Sequence, residues 1–334
     1  MKPGLISVLL PYRNADQVIL RALISIAAQL ENHELILVEN QVESSVVVDQ
    51  FIEQHPHLNI RKIKELQPGI VFALNTGIRH CEGEFIARMD ADDEMLSHRL
   101  NLQSEYLIKH PSIDLVSGMV EYAGDAEKNE GFSLYVDQIN AIKSSDEIST
   151  LRFLESPIAH PSVMIRKSAF DGGDLYRNGA FPEDYELWLR WMHEGKQMAK
   201  IEQSVVRWYD HEDRLSRTDS RCTRAAFSTL KMLYLSKWLK SNLPAERSIW
   251  IAGIGKLAKP MIDQLIQHKI QVAAITDLKP RSFLNLPFIP WENLPEPGDQ
   301  FIVSLVSNRG SWKLIQENLE ARGYKMMQDF ILCA

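Results

Sequence analysis

Short apolar runs alternate with helical patterns in the N-terminal part of this chain, and that rhythm leaves few folds open. Leu5-Ile6-Ser7-Val8-Leu9-Leu10 reads as a buried strand stopped by Pro11, and Glu34-Leu35-Ile36-Leu37-Val38 as a second. Strand patterns recur over 58–63 and 84–88, and helical spacing fills 16–30, 44–55 and 68–81. Buried strands separated by helices of that length are βαβ units, which build a parallel sheet with right-handed crossovers. In an open α/β sheet, ligands sit beyond the carboxyl ends of the strands. Three polar clusters fall at such ends: Tyr12-Arg13-Asn14, Glu39-Asn40 and Asp90-Ala91-Asp92.

The third cluster says most about chemistry. Phe85-Ile86-Ala87-Arg88-Met89 runs straight into Asp90-Ala91-Asp92-Asp93, three carboxylates in four positions. Like charges that close repel and are costly to bury unpaired. A divalent cation relieves both problems. Carboxylate oxygens are hard ligands suited to Mg²⁺ or Mn²⁺, and such sites often share the metal with substrate phosphates. The plainer alternative is a solvated acidic turn in which Asp92 or Asp93 caps the next helix. Convergence of the three clusters on one rim favours the cation.

Bulk properties set the outer limits. The 334 residues suffice for two domains. A net charge of −7 argues against a broad nucleic-acid-binding face, so no nucleic-acid partner is expected. Cys81, Cys222 and Cys333 lack metal-type spacing and read as free thiols in a reducing compartment. The stretch 5–10 is too short for a signal peptide, and no segment approaches the roughly 20 apolar residues that span a bilayer. A cytoplasmic protein is expected, at most peripheral to the inner face of a membrane.

Further along, 97–110 and 183–194 read as helices, 113–116 as a strand and 124–145 as a polar loop. Glu183 and Asp184 open their helix, where its dipole favours carboxylates. A basic helix over 220–243 ends at a hinge, Asn242-Leu243-Pro244. It is either a membrane-surface helix near a lipid-linked acceptor or a packing helix with a solvated basic face. The last part restarts the α/β rhythm, with strands at 248–252, 271–276 and 301–307 and helices at 256–268 and 310–322. The expected domains are 1–219 and 246–334, with 220–245 as connecting helix and hinge. Gly253-Ile254-Gly255-Lys256-Leu257-Ala258 matches G-x-G-x-x-G/A, and Asp277 ends the next strand. Gly253, Gly255 and Asp277 are therefore candidates for a nucleotide loop. The segment is too short for a full dinucleotide fold. A small Rossmann-like accessory domain is expected, aiding homodimerisation or binding a nucleotide or nucleotide sugar.

Several blocks follow one another in a recognisable order. They are Ile6-Ser7-Val8-Leu9-Leu10-Pro11-Tyr12-Arg13-Asn14, Asn75-Thr76-Gly77-Ile78, the run from Gly83 to Asp93, and Arg99 with Gln103. His160-Pro161-Ser162-Val163-Met164 and Glu183-Asp184-Tyr185-Glu186-Leu187-Trp188-Leu189-Arg190 complete the set. Over 4–218 this ordered set resembles the inverting family 2 glycosyltransferases. The resemblance implies the GT-A form of the α/β class, with a mainly parallel sheet. It also implies a nucleotide-diphosphate sugar donor and Mn²⁺ or Mg²⁺ as cofactor. Asp92 would then ligate the metal, while Asp90 would contact the ribose or reach the metal through water. His211 is a further ligand candidate, although a lone histidine is more often a surface or packing residue. Pro11, Tyr12, Arg13, Asn75, Arg88 and Ala91 fall on the donor side. Tyr12 would offer a stacking face, and Glu39 would accept a uracil N–H. Asp184 would be the base, with Glu183 beside it, and His160 is acceptor-side or structural. The chain departs from the family pattern at Glu39, where aspartate is usual, at Asn40, and at Leu74, where many relatives are basic.

The chemistry gives these positions a reason. A departing diphosphate gathers negative charge that a metal stabilises as a Lewis acid. Inversion needs a base on the opposite face of the sugar to deprotonate the acceptor. The expected activity moves a sugar, from a UDP-sugar, to a glycan or lipid-linked acceptor in surface polysaccharide synthesis. One rival is a catalytically weakened GT-A fold acting as a nucleotide-sugar-binding or scaffold protein. The other is a nucleotidyltransferase, whose glycine-rich basic loop is missing from Pro11-Tyr12-Arg13-Asn14.

Overall fold

The alternation folds as a parallel sheet. A computed structural model describes every residue except Val42, Asp213, Leu257, Arg281, Ser282, 307–309 and Ala334. In chain order come β1 (Lys2–Tyr12), α1 (Ile19–Ala27), β2 (His33–Glu39), α2 (Val46–Gln54), β3 (Ile60–Lys64), α3 (Ile70–His80) and β4 (Gly83–Arg88). Next are β5 (Glu94–Met95), α4 (Arg99–Lys109), β6 (Leu115–Ala123), α5 (Glu130–Ala141) and α6 (Ser145–Thr150). Then β7 (Met164–Arg166), α7 (Glu183–His193), β8 (Met198–Tyr209) and α8 (Leu215–Thr218) follow. The strands form one eight-stranded sheet in the order β3-β2-β1-β4-β7-β6-β8-β5. β3, β2, β1 and β4 pair in parallel, and β7 then runs antiparallel to both β4 and β6. The fold is thus a GT-A-like α/β sheet, and the carboxyl ends of β1, β2 and β4 share one rim.

Two packing details bring the sequence blocks together. A Cβ on Gly77 would stand 2.1 Å from Leu9 Cδ1, so glycine lets α3 lie directly on β1 without displacing the buried Leu9 side chain. Arg99 is fully buried and donates from Nη2 to Arg88 O at 2.9 Å and Val163 O at 3.0 Å. Its Nε donates to Gln103 Oε1 at 2.9 Å, and Gln103 Nε2 donates to Ser162 O at 2.8 Å and Val116 O at 3.1 Å. These side chains add hydrogen bonds to strand-end carbonyls, and they tie β4, β6 and the 160–163 turn into one scaffold.

The chain divides into two compact units, Met1–Ile148 with Ile158–Asp219, and Ser149–Pro157 with Ser220–Ala334. The second unit contains α9 (Arg224–Asn242), β9 (Ser248–Ala252), α10 (Ala258–Gln267), β10 (Val272–Asp277), β11 (Phe288–Pro290), β12 (Gln300–Ser304), α11 (Ser311–Ala321) and β13 (Phe330–Leu332). Its sheet is parallel throughout, ordered β11-β10-β9-β12-β13, with the chain reversing direction across the sheet between β9 and β12.

One expectation needs correction. The stretch 124–145 is not a loop, because α5 occupies most of it. Phe132, Tyr135, Val136 and Ile139 recur at helical spacing, and Phe132 and Tyr135 meet Trp208 edge-on at 5.7 and 6.4 Å. For the basic helix, the packing alternative is the one the buried side chains support. In α9 the residues Leu230, Lys231, Met232, Tyr234, Leu235, Ser236, Trp238 and Leu239 are buried, which leaves no free apolar face along that stretch. Trp238 packs on Phe301 at 5.8 Å, and Lys231 Nζ donates to Leu154 O at 2.7 Å. Part of the strand expected at 301–307 falls on Ser307, outside the described residues.

Candidate active site

β4 delivers its last side chains to the rim in alternation, so Arg88 and Asp90 lie on one side. Arg88 Nη1 stands 2.5 Å from Asp90 Oδ1. Asp90, Asp92 and Asp93 can each offer one oxygen within 4.8 Å of the others. Asp92 Oδ2 meets His211 Nε2 at 2.8 Å, and the Asp92 carbonyl accepts from Arg21 Nη2 at 2.8 Å. Arg21 lies 3.4 Å over the Tyr209 ring, joining α1 to the end of β8. Burial would raise the Asp90 carboxyl, but the adjacent Arg88 more than offsets it and holds the group below the usual carboxylate range.

Asp93 is fully buried and does not cap a helix. It accepts from Tyr209 N at 3.0 Å and Arg214 Nη1 at 2.9 Å. β5 intervenes, and α4 begins after His98 without any side-chain cap. Arg214 carried no assigned role in the sequence, yet it reaches every member of the triad. It stands 3.5 Å from Asp92 Oδ2 and 3.6 Å from Asp90 Oδ2. A single arginine after a β-strand has no pattern of its own. The one signal was its place three residues beyond His211.

The acidic pair and Arg88 influence one another electrostatically. Glu183 and Asp184 open α7, where the helix dipole suits them. Asp184 Oδ1 accepts from Tyr185 N at 2.7 Å. Burial pushes the Asp184 carboxyl up, the Tyr185 N–H and Arg88 oppose it, and Asp90 adds to it. Arg88 in turn feels Asp90, Tyr176 and Glu183. His160 is buried, meets Tyr176 Oη through Nε2 at 2.8 Å and lies edge-on to Trp188 at 5.9 Å. Burial, then Arg88, drives its imidazole well below the ordinary value. A neutral, packed histidine fits the structural reading of that residue.

The donor-side residues are arranged differently from expectation. Tyr12 is 3% exposed and donates its hydroxyl to Glu39 Oε1 at 3.0 Å, so its ring is not offered for stacking. Glu39 is 1% exposed and also accepts from Ser45 N at 2.8 Å and Ser44 Oγ at 3.2 Å. Its carboxylate faces inward and closes the turn before α2 instead of reading a base. Asn40 Nδ2 donates to Glu65 O at 3.0 Å and Gln67 O at 2.8 Å, organising the loop after β3. Asn75 clamps the backbone of Tyr176 from both sides, Nδ2 to Tyr176 O at 2.9 Å and Tyr176 N to Oδ1 at 3.1 Å. It therefore acts on the segment leading to the acidic pair. Pro11 is buried, Arg13 is exposed beside it and Ala91 is half-buried.

In the second unit, Gly253 has φ of +85°, and a Cβ there would stand 2.5 Å from Val306 Cγ2. Backbone shape and packing thus account for that glycine, while Gly255 has open space around it. Asp277 accepts from Ile254 N at 2.9 Å and Leu278 N at 2.7 Å, so both oxygens tie the loop together. Leu257 of the motif lies outside the described residues.

A mainly parallel sheet with an acidic triad closing its fourth strand defines a GT-A-type protein. The likeness to solved structures agrees, as far as fold goes. S. aureus TarS 1–349, solved in complex with UDP-GlcNAc, has a TM-score of 0.53 at 14% identity, over 79% of this chain and 71% of that one. The mannosyltransferase PcManGT from Pyrobaculum calidifontis, solved in complex with GDP-Man and Mn²⁺, has a TM-score of 0.50 at 16% identity, over 79% and 68%. Residues 7–173 match the Glycosyl transferase family 2 model, and the chain belongs to that family. The amylovoran biosynthesis glycosyltransferase AmsE of Erwinia amylovora is 30% identical over 133 residues, 40% of this chain and 47% of that protein. The O-antigen biosynthesis glycosyltransferase WbnJ of Escherichia coli is 28% identical over 193 residues, 57% of this chain and 72% of that protein. The match thus spans about half the length of AmsE. Among the described residues, no helix is long and apolar enough to cross a membrane.

Proposed function

We propose that this chain transfers a sugar, with inversion, from a nucleotide-diphosphate donor to a glycan or lipid-linked acceptor in surface polysaccharide synthesis. A UDP-sugar is the proposed donor, and the cytoplasmic face of a membrane the proposed place of work. The reading is supported by the Arg88–Asp90 pair at the end of β4, with Glu183 and Asp184 in the electrostatic field of Arg88. Asp184 takes the proton of the acceptor hydroxyl at its carboxylate, and the oxygen attacks the anomeric carbon opposite the leaving diphosphate. Arg88 offers a donor-side cation, since its buried Nε has no hydrogen-bond partner among the described residues. Glu183 stands in the same field.

The donor set fits Mn²⁺ or Mg²⁺. Asp92 and His211 are partly exposed and meet each other, with Asp90 adjacent, and hard oxygens with one imidazole suit these ions. When bound, the cation supplies Lewis-acid neutralisation of the leaving diphosphate. AmsE and WbnJ carry amylovoran biosynthesis and O-antigen biosynthesis in their names, which supports the acceptor class.

The test is Asp184→Asn. Loss of general-base catalysis should lower kcat by about 10²–10⁴-fold while calorimetric donor binding stays near wild type. Near-normal turnover would refute the assignment of the base. The inward-facing Glu39 favours a second reading, a nucleotide-sugar-binding protein that does not transfer. Slow donor hydrolysis in the presence of Mn²⁺ would exclude it.

A further inference from the structure

We propose that Arg214 is the resident counter-ion of the acidic triad and competes with the divalent cation for it. The inference rests on the cation reading above. Three carboxylates this close cannot all stay charged without positive charge among them. The Arg214 guanidinium is buried, with its side chain 7% exposed, and stands 2.9, 3.5 and 3.6 Å from oxygens of Asp93, Asp92 and Asp90. Nη1 also donates to Tyr209 O at 2.5 Å, and the group lies 4.6 Å over the Trp208 ring. It is a fixed part of the scaffold, unlike a surface arginine folded over a turn. Arg88 meets Asp90 as well, at 2.5 Å. Two guanidiniums offset two of the three triad carboxylates before any metal arrives, and Glu183 and Asp184 add negative charge to the field at Arg88.

Two consequences follow. Asp93, held by Arg214 and the Tyr209 N–H, is withdrawn from the ligand set, which leaves Asp92, His211 and Asp90. A divalent cation held by Asp92, His211 and Asp90 would add positive charge beside Arg214, which the anionic diphosphate of a donor would offset. Cation and donor would therefore favour each other's binding through their opposite charges, while Arg214 sets how tightly the cation is held before a donor arrives.

The experiment is a Mn²⁺ titration followed by electron paramagnetic resonance of free Mn²⁺, with and without UDP. The proteins are the wild type, Arg214→Gln and Arg214→Lys. Removing a unit charge within a few ångströms of the ion should tighten Mn²⁺ binding by about tenfold or more in Arg214→Gln without UDP. Arg214→Lys, which keeps the charge, should stay near wild type. A folded Arg214→Gln protein that binds Mn²⁺ no more tightly than wild type overturns the inference and leaves the cation reading intact. If no protein binds Mn²⁺, even with UDP, the cation reading itself fails and the inference falls with it. Should Arg214→Gln unfold, refolding in Mn²⁺ is expected to restore its far-UV circular dichroism. Failure to do so, with Arg214→Lys folded, shows that the ion cannot stand in for the guanidinium and also overturns the inference.

Discussion

Asp184 carries the sharpest expectation at the level of single residues. Its carboxyl must be ionised to accept a proton, and burial raises its pKa against the pull of the Tyr185 N–H and Arg88. Activity should therefore fall as the pH drops through that raised value, with the acid limb of kcat/KM above the ordinary carboxylate range. A limb at or below about pH 4 would show that another group, or none, sets it. Asp92→Ala should lose cation-dependent donor binding, read as equal calorimetric affinities with and without Mn²⁺. Position was legible for these residues because each stands in a run, Asp90-Ala91-Asp92-Asp93 or Glu183-Asp184. Orientation was not. Tyr12 and Glu39 satisfy each other inside the sheet rim, and that pairing depends on how β1 and β2 align, with Tyr12 opposite Glu39. Arg214 was missed for the same reason, since only folding places it among three distant aspartates.

Elements show where local pattern suffices. The strands and helices up to β4 follow the hydrophobic periods closely, and α5 follows one through Phe132, Tyr135, Val136 and Ile139, masked by the polar residues between them. What periodicity does not reveal is the job of a polar residue inside an element. Asn75 looks like a donor-loop residue, but it holds the Tyr176 backbone ahead of α7. Asn75→Ala should free that segment. Hydrogen exchange over 174–182 is expected to quicken and kcat to fall, while the donor KM stays near wild type. A rise in donor KM with unchanged exchange would return Asn75 to the donor side. Gly77→Val tests the seat of α3 on β1. Even the first carbon of the new side chain would lie 2.1 Å from Leu9 Cδ1, so overpacking should cost about 1–3 kcal/mol in denaturant unfolding.

The whole molecule is two units that do not follow one another simply along the chain. Residues Ser149–Pro157 are part of the second unit although the first unit resumes at Ile158. Within that segment Phe153 and Leu154 are buried, and Lys231 of α9 donates to the Leu154 carbonyl. A sequence reading that cut the chain near 219 could not see this, because nothing in 149–157 marks it as borrowed. The consequence is measurable. A fragment ending at Asp219 keeps every residue of the triad and the acidic pair but strips 149–157 of its partners. Each large apolar side chain left in water forfeits about 1.5–3 kcal/mol of burial. The fragment should melt well below the full chain and bind a hydrophobic dye. Replacing Phe153 and Leu154 with serine in the fragment should reduce dye binding, while the same changes in the full chain should lower its stability. A fragment as stable and dye-silent as the full chain would mean that 149–157 does not depend on the second unit for its burial.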